Sequence, residues 1–255
     1  TDDNPEAGVQ KHGTARVIVG VGGWICSHTR PDGYLAFIAL SRALGGAFSL
    51  YAWNAVLRWA WYLVRSKEYR LTYRTPAAGQ LLSAWVDSSS GNAGDGESFG
   101  GVVTGWPGSG LIGWNSFVPK NLTDSSWGAE LVLASTCLKG ILGLRIQFRE
   151  LALESAGGEH PPPTPVFMDA NAVLLGIDSE KVNRGTKYLS AKYAMLRDAQ
   201  TARAIVLDKV STQANTADGM SKPLVGLAFR QSRARMLGHV GADGDLLQPD
   251  GSPLV

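Results

Sequence analysis

Residues 81–92 constrain this chain most. They read Leu81-Leu82-Ser83-Ala84-Trp85-Val86-Asp87 and then Ser88-Ser89-Ser90-Gly91-Asn92. A short apolar run that ends in one aspartate and breaks into turn residues is the pattern of a buried strand carrying a carboxylate to a sheet edge. Phe99–Thr104 and Leu111–Trp114 predict two more strands, joined by the turn Gly105-Trp106-Pro107-Gly108. A strand-borne aspartate ahead of such a meander is a place to build a metal site, provided the rest of the chain supplies further ligands.

The length, 255 residues, allows one large domain or two small ones. Two cysteines, Cys26 and Cys137, suit a reduced, intracellular compartment and exclude a cysteine-based zinc site. Both read as small buried apolar residues. The formal net charge is only +2 but is unevenly spread. Residues 76–135 hold Asp87, Asp95, Glu97, Asp124 and Glu130 against Lys120 alone. Residues 181–240 hold eleven basic residues, among them Arg184, Lys187, Arg197, Lys222 and Arg233, against Asp198, Asp208 and Asp218. An acidic centre beside a basic flank fits a metal site facing a polyanion, although solvated helix faces account for part of the basic set. Thr1–Lys11 is polar and does not read as a signal peptide. The most apolar region, Gly33–Val64, is interrupted by Arg42, Gly45-Gly46 and Arg58, so no membrane span is expected there.

In chain order, residues 14–26 begin with a β-branched run and continue into Gly20-Val21-Gly22-Gly23. The third glycine of a dinucleotide fingerprint would fall at Ile25, so these glycines read as close-packing or turn residues. Pro31 predicts a helix start, with the helix running to about Leu44. Tyr51–Ser66 predicts a second helix whose tryptophans belong to a core. Tyr69–Tyr73 predicts a short strand, and Thr75-Pro76-Ala77-Ala78-Gly79 a domain boundary. After the meander a long helix is expected over about Trp127–Glu154, with Glu130 in its first turn. Pro165–Asp169 predicts another strand ending in aspartate. Short helices are expected over Ala170–Ile177 and Leu189–Ala202, with a last strand over Ala204–Val210. Asn215–Leu237 should be helical at its far end. Residues 239–255 read as a disordered tail.

Two predicted strands therefore end in Asp87 and Asp169, while Glu130 and Asp218 sit near predicted helix starts. Parallel strands end on one edge of a sheet, where ligands gather in open α/β folds. Four carboxylates converging there would repel one another unless cations sat between them. Two Mg²⁺ ions about 3.5–4 Å apart, with Mn²⁺ able to replace them, would resolve the repulsion and support in-line attack of water on a phosphodiester. The plain alternative is that single acids at such positions are caps and solvated charges. Asp95, Glu97, Asp124 and Asp178 are read in that way.

The acid order Asp, Glu, Asp, Asp on strand, helix, strand and helix resembles the ribonuclease H fold. Local words resemble the carboxy-terminal polyprotein region of copia-type LTR retrotransposons. Thr29-Arg30-Pro31-Asp32 with Leu40-Ser41-Arg42 resembles that family's T-R-P-D and L-S-R words. Ala55–Arg58 through Leu71-Thr72-Tyr73 resembles its L-R-Y-L-K-G-T…G-L-T-Y segment. Ser125-Ser126-Trp127-Gly128-Ala129-Glu130 resembles S-S-T-E-A-E, and Phe167–Ala172 resembles C-D-N-Q-S-A. Thr186-Lys187-Tyr188 resembles T-K-H, and Asn215–Leu224 resembles Q-L-A-D-I-L-T-K-P-L. Six such words lie in order over about residues 12–225.

The resemblance implies an α/β fold: a ribonuclease H-like mixed five-stranded sheet flanked by helices over residues 76–238. Residues 1–75 would be a mainly helical reverse-transcriptase thumb- or connection-like remnant. It implies Asp87, Glu130, Asp169 and Asp218 as metal ligands and catalytic residues cutting the RNA strand of an RNA–DNA hybrid. The implied partner is the upstream reverse-transcriptase domain of the same polyprotein, in a cytoplasmic retrotransposon particle or the nucleus. Trp127-Gly128, Ala170 and Tyr188 depart from the family words.

A hybrid approaches A-form and displays 2′-hydroxyls in a wide, shallow minor groove. Ser88, Ser89, Asn92 and above all Asn171 are candidates to read those hydroxyls. Arg184 and Lys187 are candidates for phosphate contacts, which would make binding salt-dependent. Turn chemistry is the alternative for the small polar residues. Two other readings stay open: a domain of the same fold that grips nucleic acid without cutting, and a DNA-strand transferase of the same superfamily.

Overall fold

The computed structural model describes residues 5–46, 48–89, 98–118, 126–151, 162–169, 171–178, 189–241 and 243–254. The chain divides into two compact units. The first comprises Thr1–Arg74, Gly108–Gly110 and Pro223–Val255; the second comprises Thr75–Pro107 and Leu111–Lys222.

The first unit opens with α1 (Pro5–His28), a single 3₁₀ turn (Pro31–Gly33), α2 (Tyr34–Gly45) and α3 (Leu50–Arg65). The glycine-bearing stretch 14–26 is therefore helix. Glycine and β-branched residues are poor helix formers, and here packing overrides propensity: a Cβ on Gly22 would lie 2.5 Å from the Trp59 ring. The core joins Val19 and Cys26 of α1, Leu40 and Leu44 of α2, and Val56 and Trp59 of α3. Cys26 is buried as expected, and burial pushes its thiol up to about 12.

The Thr29–Asp32 word builds a buried hub. Nε and Nη2 of Arg30 donate to the two Asp32 carboxylate oxygens at 2.9 and 2.8 Å. Its Nη1 donates to the Ser66 carbonyl at 3.0 Å, and the Tyr62 hydroxyl also donates to Asp32. The predicted strand Tyr69–Tyr73 is not one. Its extended backbone bonds to two unrelated pieces, Thr72 N to Leu237 O and Gly110 N to Thr72 O, each at 2.8 Å.

In the second unit, β1 (Ser83–Ser88), β2 (Gly100–Gly105) and β3 (Leu111–Phe117) form the expected meander. They are followed by α4 (Ser126–Glu150), β4 (Thr164–Met168), α5 (Asn171–Asp178), α6 (Ser190–Thr201), β5 (Ile205–Lys209) and the one-turn helix α7 (Asp218–Ser221). The strand order is β3-β2-β1-β4-β5. The pairs β1–β2 and β2–β3 are antiparallel, and β1–β4 and β4–β5 are parallel. This mixed five-stranded sheet flanked by helices is the ribonuclease H-like fold expected from the sequence.

Alternation along the strands separates two faces. Ala84, Val86, Val166 and Met168 enter one core with Leu131, Leu138 and Ile141 of α4, Val173 of α5 and Leu196 of α6. Cys137 is buried in this core, where desolvation raises its thiol to about 12. Trp85 and Phe167 stack with ring centroids 5.6 Å apart. On β2, a Cβ at Gly100 would strike Leu133 of α4, whereas one at Gly101 would strike Met220 of α7. The helices α4 and α7 therefore lie on opposite faces. The segment Gly128–Glu150 is long and apolar enough to cross a membrane, but its Leu131, Leu133, Leu138 and Ile141 form the centre of this core.

The last stretch of the chain corrects two expectations. α8 (Gly226–Leu237) groups with the first unit, where the Arg233 guanidinium lies 3.7 Å from the Tyr69 ring centroid. The tail expected to be disordered carries two isolated bridges, Val240 to Leu246 and Leu247 to Pro253. Its local backbone bonds and Asp250, which accepts from Ser252 N at 2.9 Å, satisfy polar groups that would otherwise depend on water.

Candidate functional site

The site forms where β1 and β4 part. Their ladder ends at the pair Trp85–Phe167. The next carbonyl on β1, Val86 O, accepts instead from the Asn215 side-chain amide at 2.9 Å. Met168 O accepts from Val210 N at 2.9 Å, which continues the β4–β5 ladder past the end of the β1–β4 one. The carboxyl ends of adjacent strands are thus separated, the place where open α/β sheets bind ligands. Asp87 and Asp169 each stand two residues beyond the last pair.

Three contacts hold α7 against this edge. The Asn215 side-chain oxygen, Oδ1, accepts from Ala217 N at 3.1 Å. Gly101, the register partner of Asp87, leaves room for the helix, since a Cβ there would lie 2.6 Å from Met220 Cβ and 2.7 Å from Ala217 O. At the far end, Ser116 Oγ donates to Met220 O at 2.6 Å.

Docking α7 brings Asp218 to Asp87. The Lys222 ammonium donates to Asp87 Oδ1 at 3.0 Å and to Asp218 Oδ1 at 2.8 Å. The Ser221 hydroxyl donates to the other Asp87 oxygen. Asp87 is 1 % exposed. Burial pushes its carboxyl up to about 7, against the opposing pull of the Ser221 hydrogen bond and the Lys222 charge. Lys222 is raised above the ordinary lysine range, its hydrogen bonds to Asp218 and the charge of Asp87 outweighing desolvation.

Of the four acids expected to converge, the structure therefore joins two, Asp87 and Asp218, through one cation. Asp169, at the end of β4, accepts from Thr212 Oγ1 at 3.1 Å. Glu130 is buried. It is the fifth residue of α4, past the first turn where it was expected, and α4 packs on the face opposite α7. Among the described residues no group of three or more His, Cys, Asp or Glu is placed to hold a metal ion. The donor set nonetheless suits one hard cation: carboxylate oxygens from two elements face an ammonium that stands in for it.

Ser88 closes β1 opposite Gly100. Ser89 is buried and ties the hairpin, its Oγ accepting from Phe99 N at 3.1 Å. Asn171 is exposed at the start of α5. Asn92, Arg184 and Lys187 lie outside the described residues, as do Asp95, Glu97 and Asp124. Part of the basic flank is engaged internally: Arg197 Nε donates to Ile177 O at 3.0 Å, and Lys222 serves the acid pair. Asn215, Ser221 and Lys222 lay within the Asn215–Leu224 word, and Lys222 also within the basic flank, but none was a candidate site residue. The available signal was local, since Lys222 stands four residues after Asp218 and side chains so spaced on a helix are neighbours.

No family model matches the chain, and no curated protein matches its sequence. Several solved structures resemble part of it, three of which follow. Ribonuclease H1 from Halobacterium salinarum is 15% identical, covers 55% of this chain and 93% of its own, and has a TM-score of 0.40. The N-terminal ribonuclease H domain of a Mycobacterium tuberculosis protein, solved as a fusion with maltose-binding protein, is 16% identical over 55% of this chain and 91% of that one, with a TM-score of 0.39. A foamy viral protease-reverse transcriptase in complex with double-stranded DNA is 17% identical over 58% and 96%, with a TM-score of 0.40. The strand order and pairing described above establish the ribonuclease H-like fold on their own.

Proposed function

We infer that the second unit is a divalent-cation-dependent endonuclease cutting the RNA strand of RNA–DNA hybrids. One observation carries this reading: Asp87 and Asp218 flank a single cation at the carboxyl edge of the sheet, where β1 and β4 part. In this reading Asp87 and Asp218 hold Mg²⁺ or Mn²⁺, with Asp169 and Glu130 completing the set for two ions. When bound, such ions acidify the attacking water and stabilise charge on the leaving 3′-oxygen. The protein's own part is to fix the acids. Ser221 and the β1 backbone hold Asp87, Asn215 and Gly101 set the height of α7, and Thr212 orients Asp169. Ser88, Asn92 and Asn171 would meet the hybrid's minor groove, and Arg184 and Lys187 its phosphates.

The sequence words that resemble copia-type elements support a retrotransposon origin, an upstream reverse-transcriptase partner, and an intracellular particle or nuclear setting. The test is cleavage of a labelled hybrid in Mg²⁺ or Mn²⁺ by wild type and Asp87→Asn. Loss of cutting in the variant is expected, and no cutting by the wild type would reject the enzyme. A second reading, a domain that grips the hybrid without cutting, is favoured by the ammonium already seated between the acids. It predicts salt-sensitive binding unchanged by Asp169→Asn.

A further inference from the structure

Lys222 differs from the two acids it joins in one respect: it is the most exposed of the three. Its side chain is 28% exposed, against 1% for Asp87 and 16% for Asp218. Asp87 is fixed in β1 and hydrogen-bonded by Ser221, and Asp218 is set by the docking of α7. Lys222 follows the last residue of that helix, in extended backbone with φ −122° and ψ 136°, so its side chain can withdraw without unwinding the turn. With both acids ionised, the charge count favours an exchange. Two carboxylates and one ammonium leave one negative charge uncompensated, and a divalent cation in the same place removes it.

We propose that Lys222 is a built-in competitor of divalent cations: its ammonium holds the Asp87–Asp218 pair, and a metal ion enters between these carboxylates only as the lysine withdraws. This rests on the reading of the acid pair as the cation site. The lysine gives the empty site a defined, partly neutralised form, which keeps two close carboxylates from repelling each other apart. It also sets the divalent concentration at which the site fills.

The experiment measures Mn²⁺ binding directly, by calorimetry and electron paramagnetic resonance, on the full chain without nucleic acid. Wild type, Lys222→Met, Lys222→Gln and Asp87→Asn are compared. Lys222→Gln retains an amide to bridge the acids and guards against a folding defect in Lys222→Met. Both lysine variants should bind Mn²⁺ at least about tenfold more tightly, the change that removal of a competing charge worth ~1.4 kcal/mol produces, and Asp87→Asn should lose binding. In the wild type, acetylation of the Lys222 amine, followed by mass spectrometry, should rise several-fold when Mn²⁺ is added. Equal affinities with unchanged acetylation, and binding still lost in Asp87→Asn, would overturn the competitor and leave the cation site standing. No Mn²⁺ binding by any of the four proteins would overturn both.

Discussion

Asn215 donates its side-chain amide to the Val86 carbonyl, from 129 residues away in the chain, at 2.9 Å. The same side chain accepts from Ala217 N. One asparagine thus ends the β1–β4 ladder and starts the helical turn that carries Asp218. Asn215→Ala should orphan two buried backbone groups and lower stability by about 1–3 kcal/mol. Urea unfolding measures this. A change below the error of extrapolation would show that Asn215 does not hold α7.

Gly101 sits directly beneath α7, and Gly100 faces α4. A methyl at 101 meets the backbone oxygen of Ala217, which has no rotamer to change, whereas one at 100 meets the flexible end of Leu133. Overpacking of this kind costs about 1–3 kcal/mol. Gly101→Ala should therefore lose more stability than Gly100→Ala, and should also weaken any Mn²⁺ binding by the acid pair. Paired thermal melts and titrations of the two variants test the order.

The raised carboxyl of Asp87 fixes a pH dependence. Its ordinary value is 3.8 and its folded value about 7, so the folded state holds a proton that the unfolded state releases. The stability this group contributes is fully present below about pH 3.8 and is lost as pH rises through about 7. Asp87→Asn should flatten that part of the stability–pH curve. Melts at half-unit steps from pH 4 to 8, compared between wild type and variant, should diverge in slope. Parallel curves would contradict the assignment.

In the first unit, Arg30 and Asp32 are both nearly buried and bonded through two parallel contacts. Removing one partner strands the other charge. Asp32→Ala should cost about 3–5 kcal/mol, while the double variant Arg30→Met with Asp32→Leu should recover much of it. A double-mutant cycle in denaturant gives the coupling. Additive losses would show that the two charges act independently.

Much of this fold was legible from local pattern. Leu81–Val86 and Pro165–Met168 are apolar runs that end in aspartate, and both are strands. α3 and α6 fall within a residue of their expected bounds because their apolar periodicity and boundaries are encoded locally. α1 was not legible, since Val17-Ile18-Val19 and four nearby glycines disfavour helix locally. It forms because Gly22 and Gly23 leave space for Trp59 and Phe37, contacts that no window of sequence contains. Tyr69–Tyr73 has strand-like residues, but its hydrogen-bond partners come from Leu237 and Gly110, and it joins no sheet.

The sequence by itself determined the order of elements in the second unit and the two strand-end aspartates, because these depend on residue type and on spacing within a few turns. Only the tertiary structure decided which acids meet. Asp87 and Lys222 are 135 residues apart, and their contact depends on where Asn215 ends a ladder and on the space that Gly101 leaves. Such a contact is a sum of packing and hydrogen-bond choices made across the whole sheet, so no local signal encodes it.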